Sequence, residues 1–138
     1  MKLKFLVVLL VIFILLSSII TYFYVAYRVV DKKEIKMYLT VADHLGVNTA
    51  TDAIYFGTIF NGSSSTRTIS IKNERCKKCL VKIIPEGQIS EWINISDNYF
   101  SMYSNEQKDI KIDVIAPGNA SKGNYTGILK IYFLKKTI

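Results

Sequence analysis

The N-terminal part of the chain is an uninterrupted apolar run. From Phe5 to Tyr27 the sequence contains no charged residue, and Arg28 ends the run. A helix rises about 1.5 Å per residue, so this run is long enough to cross the roughly 30 Å hydrocarbon core of a bilayer. The sequence therefore predicts a transmembrane α-helix over residues 5–28, preceded by a tail of residues 1–4.

The apolar run has two interpretations, a retained anchor and a cleaved signal peptide. A signal peptide has a basic start, about 7 to 15 apolar residues and a small-residue cleavage site. Here the run is longer, and Ser17-Ser18 is followed by Ile19-Ile20 rather than by a polar terminus. Its far end carries rings that suit the headgroup level, namely Tyr22, Phe23, Tyr24 and Tyr27. We interpret the run as an uncleaved signal anchor, with cleavage near Ser18 as the alternative.

The orientation of this anchor does not follow from its flanking charges, because basic residues occur on both sides. Two other features favour an exported C-terminal domain. Four Asn-x-Ser/Thr glycosylation sequences occur, at Asn61, Asn94, Asn119 and Asn124. The two cysteines can also pair with each other and leave none over. We expect a cytoplasmic tail, a single span of the cell membrane and an extracytoplasmic domain.

The charge balance excludes some classes of partner. The formal net charge is +7, and a third of the basic residues flank the apolar run: Lys2, Lys4, Arg28, Lys32, Lys33 and Lys36. Such an excess beside a membrane is explained by anionic lipid headgroups, and the sequence carries no nucleic-acid-binding motif. His44 is alone, the acids are scattered, and no phosphate-binding glycine loop occurs. We therefore expect no enzyme, no cofactor and no nucleic-acid partner.

After the anchor the pattern changes to short β-type runs. Residues 29–35 include Asp31-Lys32-Lys33-Glu34, which predicts a charged linker, and residues 36–138 form one domain. Turn signals recur every 8 to 15 residues or so, which is typical of a sandwich or barrel. We predict an all-β, antiparallel sandwich of about seven strands, drawn from the runs 35–42, 53–60, 66–73, 80–84, 89–96, 99–103, 109–116 and 125–134. Ile110, Ile112 and Val114 are expected to face its core.

Four of these runs carry a resemblance. They are Ile54–Ile59, Thr68–Asn73, Ile110–Val114 with Pro117, and Gly123–Leu129, whose Gly-x-Tyr-x-Gly phrase leads into the closing strand. The order resembles the immunoglobulin-like sandwiches of archaeal and bacterial cell-surface proteins, including the ASH and major-sperm-protein-like group. The resemblance implies an immunoglobulin-like fold over most of residues 35–138 and an archaeal source. It implies no particular task, because this fold hosts many.

Cys76-Lys77-Lys78-Cys79 is the one local pattern with candidate chemistry. Cysteines at this spacing can close a disulfide, supply half of a zinc site or act as a redox pair. Zinc needs four ligands, and only His44 remains as another soft ligand in one chain. The nearby basic residues favour a thiolate, but redox pairs usually open a helix rather than join strands. A structural disulfide is our prediction, with free thiols and with redox or metal chemistry as alternatives.

A second candidate is the basic run that surrounds these cysteines. It could contact anionic lipid, polysaccharide or an acidic partner, or simply form the solvated face of a hairpin. Its residues are Arg67, Lys72, Arg75, Lys77, Lys78 and Lys82, opposed by Glu74. Trp92 is expected in or on the core, with partner contact as the alternative.

These features predict a single-pass membrane protein that displays an immunoglobulin-like domain for protein–protein contact in the cell envelope. Adhesion, surface-layer attachment and support of a filament or complex are the tasks that suit such a tether. The expected partners are membrane lipid and another envelope protein. Two alternatives remain, an accessory subunit of an integral membrane complex and a tethered thiol or metal protein that uses Cys76 and Cys79.

Overall fold

The computed structural model describes residues 2–46 and 52–135 and consists of one helix and a two-sheet β-sandwich. The predicted loop 43–52 therefore lies partly outside the described residues. The elements in chain order are α1 Lys2–Arg28, β1 Val29–Val41, β2 Ile54–Ile59, β3 Ser64–Lys72, β4 Lys78–Gly87, a 3₁₀ turn at Ser90–Trp92, β5 Ile93–Ile95, β6 Phe100–Tyr103, β7 Gln107–Ile115 and β8 Gly123–Lys135. The predicted fold class is confirmed as an all-β sandwich of two sheets preceded by one apolar α-helix.

Helix α1 is apolar and long enough to cross a membrane over Lys4–Tyr24, as the sequence predicts, and none of that stretch is buried in the protein. The same length and composition also fit an N-terminal signal sequence. Its polar side chains bond within the helix: Ser17 and Ser18 donate to the Ile14 carbonyl at 2.9 and 3.0 Å, and Thr21 donates to the Ser17 carbonyl at 2.8 Å. Hydroxyls satisfied in this way can enter hydrocarbon at little cost.

The prediction of a charged linker over residues 29–35 is wrong. Strand β1 begins at Val29, directly after the helix, and pairs antiparallel with β8 from Val29↔Leu134 to Val41↔Gly123. The charges that indicated a loop belong to a strand with one wet face. Lys32 and Glu34 lie there 2.6 Å apart, with the Lys32 Nζ 5.6 Å from the Tyr132 ring centre. Alternate residues of the same strand point inward, among them the buried Met37.

The strands form a five-stranded sheet in the order β2-β1-β8-β4-β6 and a three-stranded sheet in the order β3-β7-β5. The sequence predicts antiparallel pairing throughout, and this is wrong for one pair of strands, because β1 and β2 run parallel. The predicted strand 89–96 is also only partly correct, since its first half is the 3₁₀ turn. The structure has eight strands among its described residues, against the predicted seven or so.

Strand β4 continues through Pro85, where the sequence predicts a stop. Beyond Val81 the short β6 no longer covers β4, and Asn98 takes its place: the Ile83 N–H donates to Asn98 Oδ1 and Asn98 Nδ2 donates to the Ile83 carbonyl, both at 2.8 Å. Pro85, two residues further on, has its nitrogen on the same uncovered side. A proline there forfeits no ladder hydrogen bond, so the strand tolerates it.

The core lies between the inner faces of the two sheets. As predicted, Ile110, Ile112 and Val114 of β7 are fully buried. They pack in one cluster with buried residues of the opposite sheet, including Leu39, Val81, Leu129, Ile131 and Phe133. Trp92 packs on the edge of this cluster with its ring centre 4.8 Å from that of Tyr125, which agrees with its predicted place on the core.

Among the residues that the structure describes, one polar side chain is buried with the core. Asn73 is 1% exposed, and its amide nitrogen donates to the carbonyls of Cys76, Met102 and Tyr103 at 2.9, 3.2 and 2.9 Å. Its carbonyl oxygen accepts the Cys76 N–H at 3.2 Å. Asn73 thereby ties the segment after β3 to the end of β6, and its own buried amide has hydrogen-bond partners on both the nitrogen and the oxygen.

We expect Asn73→Ala to lower the free energy of unfolding by about 2 kcal/mol, because it removes the buried hydrogen bond to the Met102 carbonyl and the part-buried bonds to the Cys76 backbone. Urea unfolding of the full chain in detergent micelles, followed by the fluorescence of the single tryptophan, measures this. Asn119→Ala, at an exposed turn, is the control and should change stability by about 0.5 kcal/mol or less. Equal stability of the two variants would contradict the role given to Asn73.

Candidate functional site

The end of the sandwich that meets the helix gathers several of the candidate residues. Register sets this arrangement: Val29 at the start of β1 lies opposite Leu134 near the end of β8, and Cys79 at the start of β4 lies opposite Lys135. We call this the proximal end, formed by residues 28–33, 74–79 and 132–135. The opposite end, where β1 stops at Val41, is the distal end.

The cysteine loop covers the proximal end of the core. In the structure Cys76 and Cys79 form a disulfide with their Cα atoms 6.0 Å apart. Cys79 is fully buried on β4, and the Cys76 backbone is held by Asn73. While the bond is intact neither sulfur is a thiolate, so neither can ligate a metal or attack a substrate. Among the residues that the structure describes, no group of three or more His, Cys, Asp or Glu side chains could hold a metal ion.

The six residues of the predicted basic patch do not lie together. Arg67 has the same strand parity as the core-facing Ile71 on β3, and its Nε donates to the Tyr55 carbonyl of β2 at 2.7 Å, which bridges the two sheets. Lys72 pairs with Glu74 at 3.3 Å. Sequence reasoning missed the role of Arg67, although its alternation with Ile69 and Ile71 indicates an inward position.

The other four residues of the basic run lie on or near the proximal end. The Arg75 Nε is 3.7 Å from an Asp31 carboxylate oxygen, and Lys77 is exposed on the disulfide loop. Lys78 and Lys82 follow on the open face of β4, with their Nζ atoms 5.0 and 5.5 Å from the ring centres of Tyr103 and Tyr99, respectively.

Strand β1 adds two lysines that the sequence assigns to a linker. Lys32 and Lys33 lie within 5.6 and 5.7 Å of the ring centres of Tyr132 and Phe133. The hydrogen bond between Lys32 and Glu34 raises the pKa of the lysine and lowers the pKa of the carboxyl, so both stay charged at neutral pH. The proximal end is thus a rim of cations set against aromatic rings, an arrangement typical of protein surfaces at lipid headgroups.

The four glycosylation sequences lie away from this rim. Asn61, Asn94, Asn119 and Asn124 are all exposed. Asn124 lies opposite Thr40 near the distal end of β1, and the Asn61 side chain donates to the Ala120 carbonyl in the distal turns at 2.6 Å. Asn94 pairs with Asp113 on the three-stranded sheet. Their use as glycosylation sites stays a prediction.

Comparison with known proteins gives no family. No family model matches the sequence, and no curated protein matches it. Among solved structures, DraE adhesin in complex with chloramphenicol succinate is 16% identical, with a TM-score of 0.43 over 75% of this chain and 95% of that one. The monoclinic form of the same complex is also 16% identical, with a TM-score of 0.46 over 77% of this chain and 96% of that one. AfaE-3 adhesin from Escherichia coli is 16% identical, with a TM-score of 0.38 over 79% of this chain and 97% of that one. No function is carried over from likenesses of this size.

The placement of Arg67 leads to a prediction that separates a structural arginine from a surface one. We expect Arg67→Ala to lower the free energy of unfolding by about 1 to 2 kcal/mol, because the Tyr55 carbonyl loses a charged donor. Lys82→Ala, from the same predicted patch, removes a half-buried cation that contacts the Tyr99 ring, and should lower stability by about 0.5 kcal/mol. Urea unfolding of both variants checks this, and equal losses would show that Arg67 is no more structural than Lys82.

Proposed function

We propose that the chain is a non-enzymatic, single-pass membrane protein that holds its β-sandwich outside the cell and makes protein–protein contacts in the envelope. Adhesion, surface-layer attachment and support of a filament or complex are the tasks in this class. The observation that carries the proposal is the continuity of α1 and β1, because Arg28 ends the helix and Val29 begins a strand in the interior of the larger sheet.

This continuity supports a stiff mount rather than a flexible tether. Strand β1 is paired with β8 from Val29 to Val41 and with β2 from Met37 to Val41, so the segment next to α1 is part of the folded domain through its bonds to β8. A domain mounted in this way keeps its distal end facing away from the bilayer. A partner then meets it at the high effective concentration of a surface-bound protein.

The proximal rim supports the same mount. Lys32, Lys33, Lys77 and Lys78 lie at the end where the helix enters, and Lys32 and Lys78 lie beside the half-buried ring of Tyr132 and the exposed ring of Tyr103. A lysine or arginine near an anionic bilayer surface contributes about 1 kcal/mol of attraction. We assign this rim to lipid headgroups, and we leave the distal end and the open sheet faces to a protein partner. The disulfide, held by Asn73, has a structural role in this assignment.

The proposal places the β-sandwich on the outer side of the cell membrane, which requires its export. It is supported by the exposed glycosylation sequences and by a disulfide, which persists in oxidising compartments. We expect Ser121→Cys, in an exposed distal turn, to react with a membrane-impermeant maleimide on intact cells. Lys2→Cys should react only after the cells are permeabilised. The wild-type chain measures any labelling of Cys76 and Cys79, and the reverse pattern would reject the proposed orientation.

The lipid contact has its own test. We expect the double variant Lys77→Gln/Lys78→Gln to retain less anionic lipid when the full chain is purified from mixed anionic and zwitterionic bilayers, because two cations leave the headgroup region. Lys36→Gln/Lys111→Gln removes the same charge from exposed positions outside the proximal rim and serves as the matched control. Native mass spectrometry counts the bound lipids, and equal retention by the two variants would contradict the assignment of the rim.

A further inference from the structure

The open face of the larger sheet contains a groove toward its distal end. The groove has a volume of about 450 Å³ and crosses β2, β1 and β8. Its lining includes side chains of two chemical kinds, aromatic rings and uncharged hydrogen-bonding groups, contributed by Tyr38, Thr40, Tyr55, Thr58, Asn124 and Thr126. The groove lies apart from α1 and from the proximal rim, and the proposed membrane contact gives it no role.

The sequence shapes this groove through a bulge. The β1–β2 register shifts between Tyr38 and Leu39, so that Tyr38 lies opposite Tyr55 while Leu39 lies opposite Gly57, and Phe56 is the extra residue. Gly57 has a φ of 85°, a left-handed conformation that glycine adopts without strain. A bulge of this kind bends its strand, and glycine leaves the position without a side chain.

The aromatic part of the groove is a cross-strand pair. The rings of Tyr38 and Tyr55 are stacked with centres 5.1 Å apart and planes inclined by 15°. Burial raises the pKa of the Tyr55 hydroxyl, and a hydrogen bond to Asp52 raises it further by a smaller amount. Both rings are half-buried, so the pair presents a fixed edge and face to a ligand rather than two mobile side chains.

Hydrogen bonds within the groove and beside it hold its polar residues in place. Thr40 donates its hydroxyl to Asn124 Oδ1 at 2.8 Å, which leaves the Asn124 Nδ2 hydrogens as the donors that this amide can offer. Gln88 Oε1 accepts the Thr126 N–H at 3.1 Å on the other side. The Asn124 amide and the Thr40 hydroxyl are therefore oriented before any ligand arrives, which reduces the entropy lost on binding.

The charge of the lining selects the class of ligand. The described residues that line the groove are all uncharged, whereas lysines surround the proximal end of the same sheet. Uncharged donors and acceptors match hydroxyl groups, and aromatic rings match the apolar C–H faces of a sugar ring. We propose that this groove is a binding site for a neutral saccharide. An anionic ligand finds no cation among these lining residues and is drawn to the rim instead.

Two sources could supply this saccharide. One is a polysaccharide of the cell envelope. The other is an N-linked glycan of the chain itself, because Asn124-Tyr125-Thr126 is a glycosylation sequence at the groove and the Asn124 hydrogen bond from Thr40 uses Oδ1, not the Nδ2 atom that carries a glycan. The binding chemistry is the same in both cases.

The test uses the full chain in lipid nanodiscs, since many detergents carry sugar headgroups that would compete. The protein is first made in a host that attaches no N-linked glycans. The probes are maltohexaose, cellohexaose and chitohexaose, with a sulfated dextran as the acidic comparison, and isothermal titration measures affinity. We expect saturable binding of at least one neutral oligosaccharide. Tyr38→Ala should weaken it by about tenfold, while Tyr38→Phe keeps the stack and most of the affinity.

Two further variants test whether a loss of binding is due to the groove rather than to unfolding, and whether other tyrosines contribute. Thr126→Arg fills the groove from an exposed position without removing a core contact and should abolish binding even if Tyr38→Ala unfolds. Tyr103→Ala, which removes an exposed tyrosine near the opposite edge of the sheet, should leave affinity unchanged. The proposal is overturned if no neutral oligosaccharide binds, if only sulfated dextran binds, or if Thr126→Arg binds as tightly as the wild type.

The two sources of the saccharide are distinguished by repeating the titration on protein made in a glycosylating host. If the glycan on Asn124 occupies the groove, affinity for the added oligosaccharide should fall at least about tenfold, and the unchanged chain made in the same host with N-glycosylation inhibited should regain it. If the ligand is an envelope polysaccharide, both preparations should bind alike. Either result supports a saccharide site, and neither depends on the orientation of the anchor.

Discussion

The pairing of β1 with β8 is the interaction on which the rest of the molecule depends. It joins the first strand after the helix to the last described strand of the chain, over the full length of both. Strand β1 also supplies Met37, Leu39 and Val41 to the core, each of them almost completely buried. Burial of side chains of this size contributes about 2 kcal/mol each, so removing β1 would cost the core as well as the ladder. The strand that follows α1 directly is therefore also the strand on which the folding of the domain depends.

The two ends of the sandwich differ in chemistry because the register brings together residues that are far apart in sequence. At the proximal end, the starts of β1 and β4 meet the end of β8 and place lysines beside aromatic rings. At the distal end, the start of β8 meets the end of β1 and places hydroxyl and amide groups beside a tyrosine pair. One end suits charged headgroups and the other suits uncharged polar ligands. A helix that enters at the first end leaves the second end accessible.

Sequence patterns predict those parts of this fold that depend on local periodicity. The apolar run predicts α1, and the alternation of Ile110, Ile112 and Val114 predicts β7 and its buried face. The start of β1 escapes such reasoning because its wet face is charged, and only its partner β8 makes it a strand. Asn73 looks like an ordinary strand-end residue until Met102 and Tyr103 are brought to it. The tyrosine groove is likewise invisible in sequence, since Tyr38 and Tyr55 become neighbours only through the parallel pairing of β1 with β2.

The direct junction of α1 and β1 also determines how the molecule carries mechanical load. In the proposed membrane-spanning arrangement, a pull on the distal end is resisted by the lipid around α1 and reaches the domain through β1, the strand that continues from the helix. The hydrogen bonds of an antiparallel ladder are perpendicular to its strands, so such a pull shears many of them together instead of opening them one at a time. The parallel bonds to β2 share the same load. A domain mounted in this way resists tension most strongly along the membrane normal, and extraction of the helix from the bilayer competes with unfolding as the first event under force.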